Sequence, residues 1–149
     1  MGQDASTSWE LIAATMRFQH LVQARLDRAL SGLGLSFAQY EVLEILAAEP
    51  KLHAGEVGRR FRITRQAAHG LLVQLTRADL VDLLPKDGGV RGARLTQTGR
   101  RRLATCRRAL EATERTLAAL PAETQRSFLE SLGACEEAFV PRLEPWWLE

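Results

Sequence analysis

Cysteine is almost absent from this chain, two in 149 residues, too few to build a disulfide framework or a four-ligand zinc site. Cys106 and Cys135 fall where a helix wants a small apolar residue, so both are expected in packed positions and in a reducing compartment. Histidine is scarce as well, and His20, His53 and His69 stand apart from one another. The sequence has no glycine-rich phosphate loop, no nucleophile beside a base and no pair of carboxylates at catalytic spacing, so no enzyme activity, metal or cofactor is expected. No run of about 18 apolar residues exists to cross a bilayer, and the start lacks the basic and then apolar segments of a secretion signal. These absences predict a soluble, cytoplasmic protein without a membrane partner.

What the chain does have is a charge asymmetry that its formal net charge of +2 hides. From Lys51 to Arg108 fourteen Lys or Arg face only Glu56, Asp79, Asp82 and Asp87, a local charge of +10, and the remainder carries −8. A basic middle between acidic ends is the footprint of a small protein that binds a polyanion with one part of its surface.

Apolar periodicity organises the chain into helices around that middle. From Ser8, a cap that leaves residues 1–8 as a frayed tail, Leu11, Ile12, Met16, Phe18, Val22, Leu26 and Leu30 follow helical spacing until Gly32-Leu33-Gly34. Ser36 caps a second helix that ends at Glu49-Pro50, and "AGEVGRRF" makes a short third one over 54–61. Arg62-Ile63 turn, and Thr64 caps a fourth, so that two helices joined by a tight turn form a helix-turn-helix. "LVDLLP" and "VRGARLT", separated by Lys86-Asp87-Gly88-Gly89, predict a β-hairpin, with Pro85 suggesting an edge or a loose arm. Thr96 or Thr98 opens a fifth helix with a seam of Leu103, Cys106, Leu110, Thr113, Leu117 and Leu120. Pro121 ends it, and a sixth follows over 122–140 with Phe128, Leu129, Leu132, Cys135, Phe139 and Val140 inward.

The expected fold is therefore mainly α with a small β-hairpin wing: a winged helix-turn-helix lobe over 35–98, flanked by helices at 1–34 and 99–149. The flanking helices carry more apolar stripe than a lobe of about 65 residues needs, and a second copy of the chain is the simplest use for it. A homodimer would set two lobes against a two-fold DNA site with half-sites ~34 Å apart.

The fourth helix carries the sharpest functional signal. At 100° per residue Ala67, Ala68, Leu71, Leu72, Leu75 and Ala78 share one arc, while Gln66, His69, Gly70, Val73 and Arg77 centre on the opposite one, without a single carboxylate. Arg65 and Gln66 follow the Thr64 cap, at the end of a recognition helix that enters the major groove first. Arg can bond guanine at two points and Gln adenine, Gly70 admits close backbone approach, and Val73 suits a thymine methyl group. Lys86, Arg91 and Arg94 on the hairpin suit the adjacent minor groove or its phosphates. Arg59, Arg60 and Arg62 around the turn suit backbone phosphates.

In the order "LSFAQYEVLEIL", "EVGRRFRITRQAAHGLLVQLTRADLV" and a wing closing on "LTQTG", residues 35–98 resemble the MarR (multiple antibiotic resistance regulator) family of bacterial transcription factors. The resemblance implies a homodimer that represses from a palindromic double-stranded DNA operator and is released by a small aromatic molecule in a crevice between dimer arm and lobe. Trp9, Met16, His20, Phe37 and Tyr40, on the first two helices, are the residues it nominates for that effector. Asp79 stands where the family usually ends the recognition helix with Gly, and Asp tolerates the left-handed conformation needed there better than most residues. Two other readings stay open: a winged helix that binds protein through the apolar Gly70, Val73, Leu83 and Leu84, and a redox sensor. Peroxide-sensing members carry a reactive Cys in the first helix; here Cys106 or Cys135 would have to serve.

Overall fold

In a computed structural model of the chain, residues 2–87 and 90–139 are described, with side chains described over 7–85 and 91–138. They form α1 (Gly2–Ser31), α2 (Phe37–Ala48), α3 (Ala54–Phe61), α4 (Arg65–Arg77), β1 (Val81–Asp87), β2 (Val90–Leu95), α5 (Gln97–Ala118) and α6 (Ala122–Phe139). The expected architecture, mainly helical with one antiparallel hairpin, is what this order makes.

Caps read from the sequence set most of the boundaries. The Ser36 hydroxyl accepts from Gln39 N, and the Gln39 side chain accepts from Ser36 N, a capping box that holds α2 in register. Thr64 accepts from Ala67 N at 3.1 Å and starts α4. Thr96, rather than Thr98, starts α5, its hydroxyl accepting from Gly99 N at 2.8 Å. The carboxylate of Asp27 on α1 accepts from Phe37 N at 3.0 Å, tying the lower end of α1 to the first turn of α2. Hydrogen bonds from Gln23 and then Phe37 hold that carboxyl below its ordinary pKa.

One core joins all of the lobe. Leu30 of α1, Val42, Leu43 and Leu46 of α2, Val57 of α3, and Ala68, Leu72 and Leu75 of α4 pack with Val81, Ala93 and Leu95 of the hairpin and Leu103, Cys106 and Leu110 of α5. Each buried Leu or Val contributes about 1.5–3 kcal/mol by leaving water. The hairpin is not a loose arm, because Lys51 N donates to Ala93 O and Ala93 N to Leu52 O, both at 2.9 Å. These bonds, with a bridge from His53 to Gly92, lay residues 51–53 along β2 as a short third rung. Pro85 sits within the register shift between Leu83 and Lys86, where its missing N–H breaks no regular ladder.

Several expectations need correction. α1 begins at Gly2 and not near Ser8, since nothing between them breaks a helix. On α4 the buried arc is narrower than the sequence pattern: Ala68, Leu72 and Leu75 are buried, Leu71 is half-buried, and Ala67 and Ala78 are exposed. On α5 the seam is buried through Thr113, while Leu117, and Leu120 just past the helix end, are exposed, because the helix has run past the lobe. α6 differs most. Phe128, Leu129 and Leu132 are 44%, 68% and 39% exposed, and Cys135 is exposed too. The inward positions named for Phe139 and Val140, and the tail from Pro141 to Glu149, lie outside the described side chains.

Candidate nucleic-acid interface

α4 is held by its buried side, so its opposite side is free to meet something else. Gln66, His69 and Arg77 are exposed, and Gly70 and Val73 are half-exposed between them. A Cβ at Gly70 would meet no atom within 4 Å, so packing does not require glycine there, and the backbone is open to close approach. The side chains of Arg65, Gln66, His69 and Arg77 make no hydrogen bond or ion pair with any described residue, and no acidic side chain stands on the helix. Their donors remain available to a ligand.

The turn that presents α4 depends on two backbone details. Arg62 adopts the left-handed conformation, φ 52°, and Ile63 N donates to Gly58 O at 3.0 Å. A Cβ at Gly58 would lie 2.9 Å from Ile63 O, so the glycine that weakens α3 in isolation is what lets the turn close. Sequence reasoning missed what starts α3. His53 is its cap: Nδ1 accepts from Gly55 N and Glu56 N, while the Glu56 carboxylate accepts from His53 N at 2.9 Å. Histidine is an uncommon cap, and the only signal was Glu56 three residues on. A second missed feature is Gly92, where a Cβ would lie 2.5 Å from Lys51 O and push residues 51–53 off the wing.

The cations divide into those engaged within the chain and those not. Arg60 is paired with Glu49, Arg62 with Glu136 at 3.7 Å, and Arg94 with Asp82 across the hairpin at 3.4 Å. Arg100 donates to Leu95 O and Arg102 to Leu33 O, which gives two of the Arg100-Arg101-Arg102 run a role in closing α5 onto the lobe. Arg59 and Arg91 are exposed without a partner among the described residues. The Lys86 side chain lies outside the described side chains, although its backbone pairs with Arg91.

The nominated effector residues do not gather into one pocket. Phe37 and Tyr40 lie together, ring centroids 5.7 Å apart, half-buried at the edge of the core. Trp9, Met16 and His20 lie along the exposed face of α1. Trp9 is 18 residues before Asp27, about 27 Å along the helix from where α1 touches α2. Among the described residues no cluster of three or more His, Cys, Asp or Glu could hold a metal, and no helix is long and apolar enough to cross a membrane.

Residues 33–91, which span α2, the helix-turn-helix and most of the wing, match the MarR family model. A MarR family transcriptional regulator of Streptomyces coelicolor superposes on 93% of this chain and 99% of its own, with TM-score 0.80 and 26% identity. Over residues 33–91 the chain is similar to the MarR family, whose solved structures share its fold. A MarR family protein of Mycobacterium tuberculosis, crystallised in complex with salicylic acid, is 29% identical over 82% of this chain and 93% of its own, TM-score 0.62. The same protein has been crystallised with p-aminosalicylic acid, at 28% identity and TM-score 0.64 over 84% of this chain and 97% of its own. Comparison with curated proteins finds no matching relative.

Within this MarR fold α4 ends as expected, on Asp79 in the left-handed conformation, φ 56°. Thr96 Oγ1 donates to Asp79 O at 2.7 Å and holds that strained turn against the start of α5. A polar relay fixes α5 to α2: Arg107 grips the Glu44 carboxylate at 2.8 and 2.6 Å, and Tyr40 Oη donates to it at 2.5 Å. Arg107 first, then Tyr40, holds the Glu44 carboxyl below its usual range despite burial, and burial followed by the Glu44 bond raises the Tyr40 phenol. Burial pushes the Cys106 thiol up, away from the thiolate that redox chemistry needs.

Proposed function

We propose that this chain is a MarR-family, sequence-specific DNA-binding transcriptional regulator, a homodimeric repressor of a palindromic operator that a small aromatic molecule releases. The observation that carries this reading is the outward face of α4. It has free Arg and Gln donors, no carboxylate, and an open glycine at its middle, opposite the buried Ala68, Leu72 and Leu75. Thr64, Arg65, Gln66, His69, Gly70, Val73 and Arg77 are the groups we assign to the major groove. Lys86, Arg91 and Arg94 are assigned to the minor groove and phosphates. Arg94 must leave its exposed pair with Asp82 to take part, at a cost of about 1 kcal/mol or less. We keep 35–98 as the DNA-binding lobe and 1–34 and 99–149 as the dimer arm. The exposed apolar side chains of α1 and α6 support that division, since a monomer would leave them in water. The aromatic effector is supported by the salicylic acid and p-aminosalicylic acid complexes of the mycobacterial relative.

Selection from a random duplex pool, repeated at two salt concentrations, tests the reading. It should enrich a two-fold symmetric site whose half-sites lie one helical turn apart. With six to ten phosphate contacts per dimer, affinity should fall about 10³–10⁵-fold between ~50 and ~200 mM salt. Changing Arg65 and Gln66 to alanine should cost about 1–3 kcal/mol for each bidentate bond to a base that the change removes. No enriched site, or capture indifferent to salt, would point instead to a protein partner.

A further inference from the structure

Away from α4's outer face, a crevice of about 520 Å³ opens between α2, the α3–α4 turn and α6. Its volume lies within the range of small-molecule sites. Phe61, Ile63 and Leu71 line its inner side, with the exposed Ala38 on the rim. Two guanidiniums stand on its rim, but each has a carboxylate: Arg60 has Glu49, and Arg62 has Glu136. Glu136 is itself one of the lining carboxylates, which among the described residues leaves one charge without a partner. Glu41 is half-buried in the crevice, and its carboxylate makes no hydrogen bond or ion pair with any described residue. Burial holds its carboxyl above the usual range. A half-buried negative charge without a partner is costly to keep even in a crevice of mixed lining, and a ligand cation would supply what the chain does not.

We propose that this crevice binds an amphipathic organic amine, its ammonium on the Glu41 carboxylate and its aromatic body against Phe61, Ile63 and Leu71. An aromatic acid fits the crevice less well. It would have to face Glu41 and break an existing Arg–Glu pair to gain a cation. An ammonium needs neither, and it can also lie over the Phe61 ring. The crevice is walled by Arg62 and Ile63 of the turn and by Leu71 of α4, so an occupant presses on the elements that aim the recognition helix. The inference deepens the effector reading above, on which its regulatory consequence rests; binding itself does not need DNA.

Two dansyl probes of opposite charge separate the outcomes: dansylcadaverine, a primary amine, and dansylglycine, a carboxylate. Fluorescence titration of the full-length protein should show saturable binding of the amine, at least tenfold tighter than that of the acid. Glu41→Gln, which keeps the side chain's shape, should weaken the amine at least tenfold with its circular dichroism unchanged. Ala38→Trp, at an exposed position on the rim, should block it by filling the crevice. Equal binding of both probes, no saturable binding, or amine affinity untouched by both variants overturns the proposal. In a separate arm, the amine should release operator DNA from the wild type and not from Glu41→Gln. If no DNA is captured at all, the regulator reading fails while the titration still decides the site.

Discussion

Gly99→Ala adds one methyl group, yet it should be among the most damaging single changes in the lobe. Gly99 is buried in the first turn of α5, and a Cβ there would lie 2.0 Å from the Leu80 carbonyl oxygen, where ordinary contact begins near 3.4 Å. That carbonyl cannot swing aside. It accepts from Thr96 N at 3.1 Å, Leu80 N donates to Leu75 O at 3.0 Å, and the Leu80 side chain is buried. The start of α5 must therefore lift by about an ångström, taking Leu103 away from the core. Overpacking costs about 1–3 kcal/mol, sometimes more, and a backbone-on-backbone contact belongs at the upper end. Alanine's better helix propensity returns at most about 1 kcal/mol. The net loss of about 2–3 kcal/mol should lower Tm by roughly 4–12 °C, read by thermal unfolding. Protomer concentration must be held fixed, because association shifts Tm. Gly70→Ala is the control: it meets open space and should hold or slightly raise Tm while weakening operator capture. A Gly99→Ala protein that unfolds within a degree of wild type would refute the reasoning from contact geometry.

Three further outcomes follow from other parts of the molecule. Thr64→Ala removes the α4 cap and should cost about 1 kcal/mol in urea denaturation, whereas Thr64→Ser should recover most of it. Arg107→Ala should cost under about 1 kcal/mol near neutrality, because the pair is substantially exposed. The depressed Glu44 pKa fixes the sign with pH: its contribution is present above the ordinary carboxylate range and is lost as pH falls through the folded value. The gap between wild type and Arg107→Ala should therefore close in acid, and a gap that widens there sinks the assignment. Finally, Leu21→Glu with Leu129→Glu, on the 70% and 68% exposed apolar sites of α1 and α6, should turn a dimer into a monomer in analytical ultracentrifugation. An unchanged sedimentation coefficient removes those faces from the proposed interface.

The parts of the fold legible in the sequence are those whose signals act locally. Ser36 and Thr64 cap through their own side chains, 54–61 is bracketed by the turn residues on either side, and Gly32-Leu33-Gly34 stops α1 with Gly34 at φ 67°. Periodicity likewise put Gln66, Gly70, Val73 and Arg77 opposite the core, because one period fixes both faces of a helix. What stayed hidden depends on a second strand of chain. Gly92 and Gly99 look like weak points until Lys51 O and Leu80 O arrive beside them from 41 and 19 residues away. His53 looks like a stray histidine until its ring turns back onto α3.

The α6 stripe marks a different limit, and it bears on how the protein works. Periodicity says that Phe128, Leu129 and Leu132 share a face; it does not say which chain covers that face. Among the described residues the face has partial cover, such as the edge-on contact of Phe128 with Phe18 at 5.4 Å. If a second copy completes it, the arm's stability depends on concentration while the lobe's own core, from Leu30 to Leu110, does not. The lobes could then shift relative to each other without disturbing the packing that shapes either one. Glu136, on this same helix, reaches Arg62 at the helix-turn-helix, so a shift of α6 would be felt at the turn that aims α4. Among the described residues that link runs through one exposed ion pair, weak enough for a ligand to break and seated at the turn that leads into α4.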